Sequence, residues 1–332
     1  MAGEPRVLRV APFAQRELED ALKLSVSAVR LARRELAPVL ATSLVQGPAI
    51  VLGALQRRAP FARLGAPHKV ERRVTTGTAV ELAGRALHHA LALPEVSSLA
   101  ADANPHNLLN RNVRGFLSGY IKAGTKARYF GREVITFGRY PAGVLGYDLL
   151  PDGAVLVELL VGYDAPVASR ATPSLAPLRD APSGSAPFVA LTDVVAEPPE
   201  PAVVADAVAS GVARRYQLTV TTVTISLDEE APPELVDPPD NAALAALEVP
   251  IGRVEAAVWA GSSGPEVALR GDVLCARAAL SAVERAAGLA LRAGERLDER
   301  VLAPLLVAPF EGARPEDVLR ALILAAERAG VC

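Results

Sequence analysis

The sequence predicts an α/β chain in two units, and three observations carry that prediction. Apolar residues recur at helical spacing in some segments and run as short apolar stretches in others. Near the middle, three apolar runs are separated by Gly-Arg-Tyr-Pro and by Pro151-Asp152-Gly153, the signature of a β-meander. An acidic, proline-rich stretch, DEEAPPELVDPPDN at 228–241, reads as a linker. It separates a first unit, residues 1–228, from a small α/β unit, residues 245–332, with 229–244 between them.

The elements follow in order. After a short strand-like start, Ala14 to Leu36 reads as an amphipathic helix, because Leu18, Leu22, Val26 and Val29 share one face. PAIVLGAL, 48–55, reads as a buried strand, and RRVTTGTAV, 72–80, as a strand or loop rich in small and β-branched residues. LAGRALHHALAL, 82–93, reads as helical, with His88 and His89 about 100° apart and so unable to chelate one metal as an i, i+4 pair would. NLLNRNVRGFLSGYIKAG, 107–124, is a second amphipathic helix closed by Gly124. The meander comprises EVITF, AGVLGYDLL and AVLVELLVG. The Pro-, Ala- and Ser-rich residues 165–187 read as a flexible surface insertion. A helix over about 201–215 and a strand, QLTVTTVTISL, complete the first unit. In the second, IGRVEAAVWA and EVALRG are strands, and Val273, Ala276, Leu280, Val283 and Ala287 form a helical stripe. The last helix opens with Pro315, Glu316 and Asp317 and ends before Gly330.

Composition narrows the function. Hydrophobic residues make up 51% and aromatics 4%, so the core is expected to be aliphatic, with small residues letting helices approach closely. A formal net charge of -2 without a basic block argues against a nucleic-acid or membrane-surface binder. No hydrophobic leader and no membrane-length apolar run are visible, and Cys275 and Cys332 form no CxxC, which fits a reduced cytoplasmic protein. The chain carries no GxxxxGK[ST] loop, no GxGxxG after a strand and no HExxH. His68 and His106 fall in loops, and Cys275 reads as a core cysteine. The Arg72–Arg73 pair beside hydroxyl-bearing residues offers two guanidinium forks to a carboxylate or phosphate; an exposed strand edge is the plainer alternative.

Four segments, in order along nearly the whole chain, resemble the lipoate–protein ligases, of the superfamily that includes biotin ligases and octanoyltransferases. AIVLGALQ, 49–56, resembles that family's strand with a closing Gly-x-x-Gln, and RRVTTGTAV, 72–80, its RRxSGGGAV loop. GREVITFGRYPAG, 131–143, resembles GRNDIVVNGRKVSG with one residue fewer, and IGRVEAAVWAGSSGPEVALRGDVL, 251–274, the start of the C-terminal accessory domain. The resemblance implies a mixed-sheet, class II synthetase-like module and an accessory domain. It implies ATP and Mg²⁺ for a ligase, lipoate or octanoate as substrate, and a lipoyl carrier domain or acyl carrier protein as partner. It places Gln56, Arg72, Arg73, Thr76, Gly77, Thr78, Ala79, Gly138, Arg139 and Gly143 at substrate or acyl-adenylate positions, and no metal ligand among them.

The chain departs from the family at the centre. Tyr140 stands at the position of the lysine of GRKVSG, with Pro141 beside it, and a phenol supplies no positive charge to a carboxylate, phosphate or oxyanion. The triple glycine becomes Thr76-Gly77-Thr78, and the four lysines, Lys23, Lys69, Lys122 and Lys126, all precede the meander. Two functions stay open: a divergent ligase or acyltransferase, and a homologue without the chemistry that keeps an acyl- or nucleotide-binding or protein-interaction role. A biotin ligase or a cysteine-dependent transferase fits less well, because no GRGRxG-type loop is visible and neither cysteine lies in the first unit.

Overall fold

A computed structural model describes residues 6–62, 69–131, 133–170, 187–227, 237–307, 310–311 and 313–331. At its centre is the strand Arg85–Leu93, flanked antiparallel by Val39–Gln46 and by Val155–Gly162. This corrects the expectation of a helix over 82–93. Eight of the strand's nine residues are buried, so both faces are covered. A strand buried on both sides reads as a continuous apolar run without a two-residue period, and alanines and leucines then favour a helical reading. The correction moves the histidines to opposite faces. His88 points toward the helix Leu18–Glu35 and His89 toward the helix Leu108–Lys122.

The sheet order, by strand, is Thr219–Thr222, Val7–Val10, Val39–Gln46, Arg85–Leu93, Val155–Gly162, Tyr140–Leu149, Val134–Phe137 and Ala127–Tyr129. The first three pair in parallel and the rest antiparallel. The meander expected from the sequence thus forms one half of the sheet. The strand expected over 217–227 is confined to Thr219–Thr222. Leu18–Glu35 covers one face of the sheet and buries Leu18, Leu22 and Val29 of the expected stripe, together with Leu24, Ala28 and Leu31. Leu108–Lys122 and Pro201–Tyr216 cover the other. These two helices touch through glycines: a Cβ on Gly119 would lie 2.3 Å from the Cα of Val208, so only glycine allows this approach.

A second, four-stranded sheet has the order Val167–Arg170, Ala79–Leu82, Ala49–Leu52, Lys69–Arg72. The strand expected over 48–55 is thereby limited to Ala49–Leu52, and Val167–Arg170 is an ordered strand inside the stretch expected to be a flexible insertion. Its pairing with Ala79–Leu82 supplies the backbone hydrogen bonds that composition does not reveal. The remainder of that expectation, 171–186, lies outside the described residues, as does much of the acidic linker.

The C-terminal residues build an antiparallel meander, Ala243–Val249, Gly252–Gly261 and Gly264–Gly271. Helices Arg277–Arg292 and Pro315–Ala329 share an apolar cluster with it. Val273 and Ala276 fall before the helix, not on it, and Cys275 lies on a two-residue strand, Leu274–Cys275, paired with Phe310–Glu311. Among the described residues no helix is long and apolar enough to cross a membrane.

Candidate functional site

The loop between Arg72 and Ala79 leaves one strand of the small sheet and returns as the next. Its backbone is held on both sides. The amide of Arg73 donates to Leu52 at 2.9 Å, Ala54 donates to Thr75 at 2.8 Å, and Thr76 donates to Tyr147 of the main sheet at 2.9 Å. Gly53 and Gly77 cross in contact: a Cβ on Gly53 would stand 2.0 Å from the Gly77 carbonyl oxygen, and Gly77 itself has a φ of 113°. Both positions therefore require glycine.

The side chains of the loop turn inward. Arg73 is buried, and its Nη2 donates to the carbonyl of Thr78 at 3.0 Å and, more weakly, to those of Thr76 and Leu145 at 3.4 Å. Burial lowers its guanidinium to about 10 against the opposing pull of Glu158, so it remains a cation at neutral pH. Thr75 donates to Glu158 Oε2 at 2.5 Å, and Ser25 donates to Oε1 at 2.7 Å. His88 Nε2 lies 3.1 Å from the same Oε1. Burial raises Glu158, but His88, Arg73 and Thr75 outweigh it and hold the carboxyl at about 2. Arg72 anchors a different carbonyl, that of Gln56, at 2.9 Å. The two arginines that the sequence offers to an anion thus both hold backbone carbonyls, and Arg73 sits beside the internal carboxylate of Glu158.

The C-terminal residues close over the same loop. Thr76 Oγ1 accepts from the Cys275 amide at 3.0 Å and lies 2.9 Å from the carbonyl oxygens of Cys275 and Tyr147, to either of which it can donate. Gln56 accepts from the Gly53 amide at 2.7 Å and donates to Asp272 at 2.5 Å, while Asp272 also accepts from the Arg253 amide. Asp148 accepts from the backbone and side chain of Arg277, at 3.0 and 2.6 Å. Arg57 reaches Glu255 at 2.8 Å. Thr78 meets Ser169 at 2.7 Å, and Ala79 pairs with Arg170 in the small sheet.

Gln56, Arg72, Arg73, Thr76, Gly77, Thr78 and Ala79 therefore stand together. Gly143 lies in the main sheet, at a bulge after Pro141. Gly138 and Arg139 form the tip of the hairpin, with Tyr140 first on the return strand. The contacts of the 72–80 loop with that strand fall at Leu145 and Tyr147, not at Tyr140. Tyr140 is half-buried. Its hydroxyl accepts from Arg139 at 2.7 Å, and the Arg139 guanidinium lies 5.0 Å above its ring. Sequence reasoning missed Glu158, Ser25, His88, Asp148 and Asp272 as members of this network. One signal was present: Glu158 is the single charge in the apolar strand VLVELLVG.

Of solved structures, P. falciparum LipL1, in complex with lipoate, is similar over 84% of this chain and 88% of its own, at a TM-score of 0.56 and 12% identity. The chain shares the fold of that structure. Lipoate-protein ligase A bound with ATP aligns over 65% of this chain and 89% of its own, at 14% identity and a TM-score of 0.49. The biotin protein ligase from Leishmania major, in complex with biotin, covers 80% and 98% at 11% identity and a TM-score of 0.32. No family profile matches the sequence, and no curated protein does. Among the described residues no group of three His, Cys, Asp or Glu side chains is placed to hold a metal ion.

Proposed function

We propose that the protein is a divergent lipoate–protein ligase-like protein. Its substrates would be lipoyl or octanoyl groups, and its acceptor a lysine on a lipoyl carrier domain. One observation carries this reading. The segments that resemble the ligases lie far apart in sequence, yet the 49–56, 72–80 and 251–274 segments meet around Gln56, Thr76 and Gly77, against residues 145–147 of the hairpin strand. In the overall reaction the acyl carboxylate displaces pyrophosphate from ATP, and the acceptor amine then displaces AMP from the mixed anhydride.

Activation is the step this chain is least equipped for. Tyr140 adds no cation, and Arg72 and Arg73 hold carbonyls. Loss of one preorganised donor costs about 10²–10³ in rate, so ATP–pyrophosphate exchange with lipoate or octanoate is expected to be at least about 10² slower than ordinary synthetases, which turn over at roughly 1–10³ s⁻¹. The guanidinium of Arg139 over Tyr140 keeps a positive charge one residue from the position of the lost lysine, and that supports residual acyl transfer.

The inward-facing loop favours a second reading, a homologue without chemistry that keeps the fold for binding. Supplying preformed lipoyl-adenylate and a lipoyl domain separates the two. Acylation of the carrier lysine above the uncatalysed rate supports the first. If neither wild type nor Tyr140→Lys acylates the carrier, the transfer reading is wrong and the second stands.

A further inference from the structure

On the side of the main sheet away from Ser25 and Glu158, the helix layer opens into a hollow of about 450 Å³ that the acyl chemistry does not use. Four arginines line it, Arg6, Arg111, Arg114 and Arg215, with one acid, Asp102, and the edge of Tyr216. They come from four places: the residue before the strand Val7–Val10, the first turns of the helix Leu108–Lys122, the end of the helix Pro201–Tyr216, and the loop leading to 102. The fold gathers charges here that the sequence scatters over more than two hundred positions. In a chain of net charge -2, four cations against one anion is a local reversal.

The charges are little neutralised. Arg111 pairs with Asp102. Arg6 donates to the carbonyl of Ser98, and Arg114 to the side chain and carbonyl of Asn110 at 2.9 and 3.2 Å; neither partner carries a charge. Arg215 is exposed and makes no hydrogen bond or ion pair among the described residues. The field converges on Tyr216: burial pushes its phenol up to about 12, while Arg215, Arg114 and Arg111 all pull the other way. A second hollow, about 360 Å³, shares Arg111 and Arg114 with the first and is lined also by His106, Asn110 and the acid Glu311.

We propose that this hollow is a binding site for a phosphate-bearing small molecule of the di- or triphosphate class. Several guanidinium forks around one cleft match oligophosphate oxygens, which accept in pairs. The volume suits a small ligand, within the roughly 300–1,000 Å³ of such sites. A nucleic acid would need a basic stripe along a face, and here the cations are confined to one hollow. The site is independent of the acyl-handling reading.

Isothermal titration of the full chain with pyrophosphate, ATP and AMP, at low salt and near 0.15 M, tests it. Pyrophosphate and ATP are expected to bind more tightly than AMP, and to weaken as the Debye length shrinks to about 8 Å. Arg114→Glu and Arg215→Glu should each weaken pyrophosphate binding about tenfold or more. Arg34→Glu, with the same charge change on a 75% exposed side chain elsewhere, should not. Circular dichroism confirms that each variant folds. Absence of pyrophosphate binding at low salt overturns the proposal. So does binding that survives both reversals, which would place the ligand at the Arg72–Arg73 loop, and so does binding of a nucleic-acid oligomer but not of pyrophosphate.

Discussion

Thr76→Val tests whether the C-terminal residues are stapled to the glycine-containing loop. The substitution keeps a β-branched side chain and removes Oγ1. The Cys275 amide, fully buried, then loses its acceptor at 3.0 Å. The carbonyl oxygens of Tyr147 and Cys275 lose a donor, although the Tyr147 oxygen still accepts from the Thr76 amide. An unsatisfied buried donor costs about 1–3 kcal/mol. Specific unfolding entropy implies about 0.7 kcal/mol per degree for a chain of this length, so Tm should fall by roughly 1.5–4.5 °C. Local opening is the sharper readout. Hydrogen exchange of the Cys275 amide should accelerate, and its thiol, which burial keeps protonated, should become reachable by a thiol reagent under native conditions. Thr78→Val is the control, because the Thr78 hydroxyl meets Ser169 and not the C-terminal strand. If Thr76→Val melts with wild type and leaves Cys275 exchange unchanged, the staple carries no energy and the reasoning fails.

Gly119→Ala forces a methyl group against the Val208 backbone and should destabilise by about 1–3 kcal/mol; an unchanged denaturation midpoint would mean that the helices are not in contact. Arg277→Ala strands the buried Asp148 carboxylate, already raised by burial, and should cost about 3–5 kcal/mol near neutral pH; the defect should shrink on acidification, because the native state then takes up the proton first. Burial, with His88 beside it, lowers His89 to about 3 from 6.5, so between those values the unfolded chain binds more protons and stability rises with pH. Glu158, held at about 2 instead of 4.5, acts in the same direction but only below 4.5; His89→Gln should therefore flatten the pH dependence of urea unfolding between about pH 5 and 6.5 and leave the steeper loss below it.

The fold was legible where periodicity was one-sided. Leu18–Glu35 and Leu108–Lys122 each bury a single stripe, and the meander carries Gly and Pro punctuation, so both lie where spacing and turn residues put them. Arg85–Leu93 was not legible, because burial on both faces erases alternation and leaves only propensity, which for alanine and leucine favours helix. Val167–Arg170 failed for the opposite reason. Its composition offers little apolar area, and its order comes from the ladder to Ala79–Leu82, a partner nearly ninety positions away that no local window contains.

The site divides along the same line. Gln56, Arg72, Arg73 and Gly77 could be picked out by motif order, and their coming together around one loop follows that order. Motif order does not say which way they point, because that depends on what lies opposite. Glu158, from a strand eighty-five positions beyond Arg73, accepts from Thr75 and faces the buried guanidinium. Cys275, still further along, supplies the amide that Thr76 accepts. Thr76 and Thr78, where the resembling loop has glycines, therefore act as anchors. At 76 the hydroxyl bonds the C-terminal strand, and at 78 it bonds the strand Val167–Arg170. A single lysine at 140 would restore charge while leaving both anchors in place. If the anchors limit adenylation, Tyr140→Lys alone should raise ATP–pyrophosphate exchange less than Tyr140→Lys combined with Thr76→Gly and Thr78→Gly. Full recovery with the lysine alone would show that charge, and not the locked loop, was the missing element.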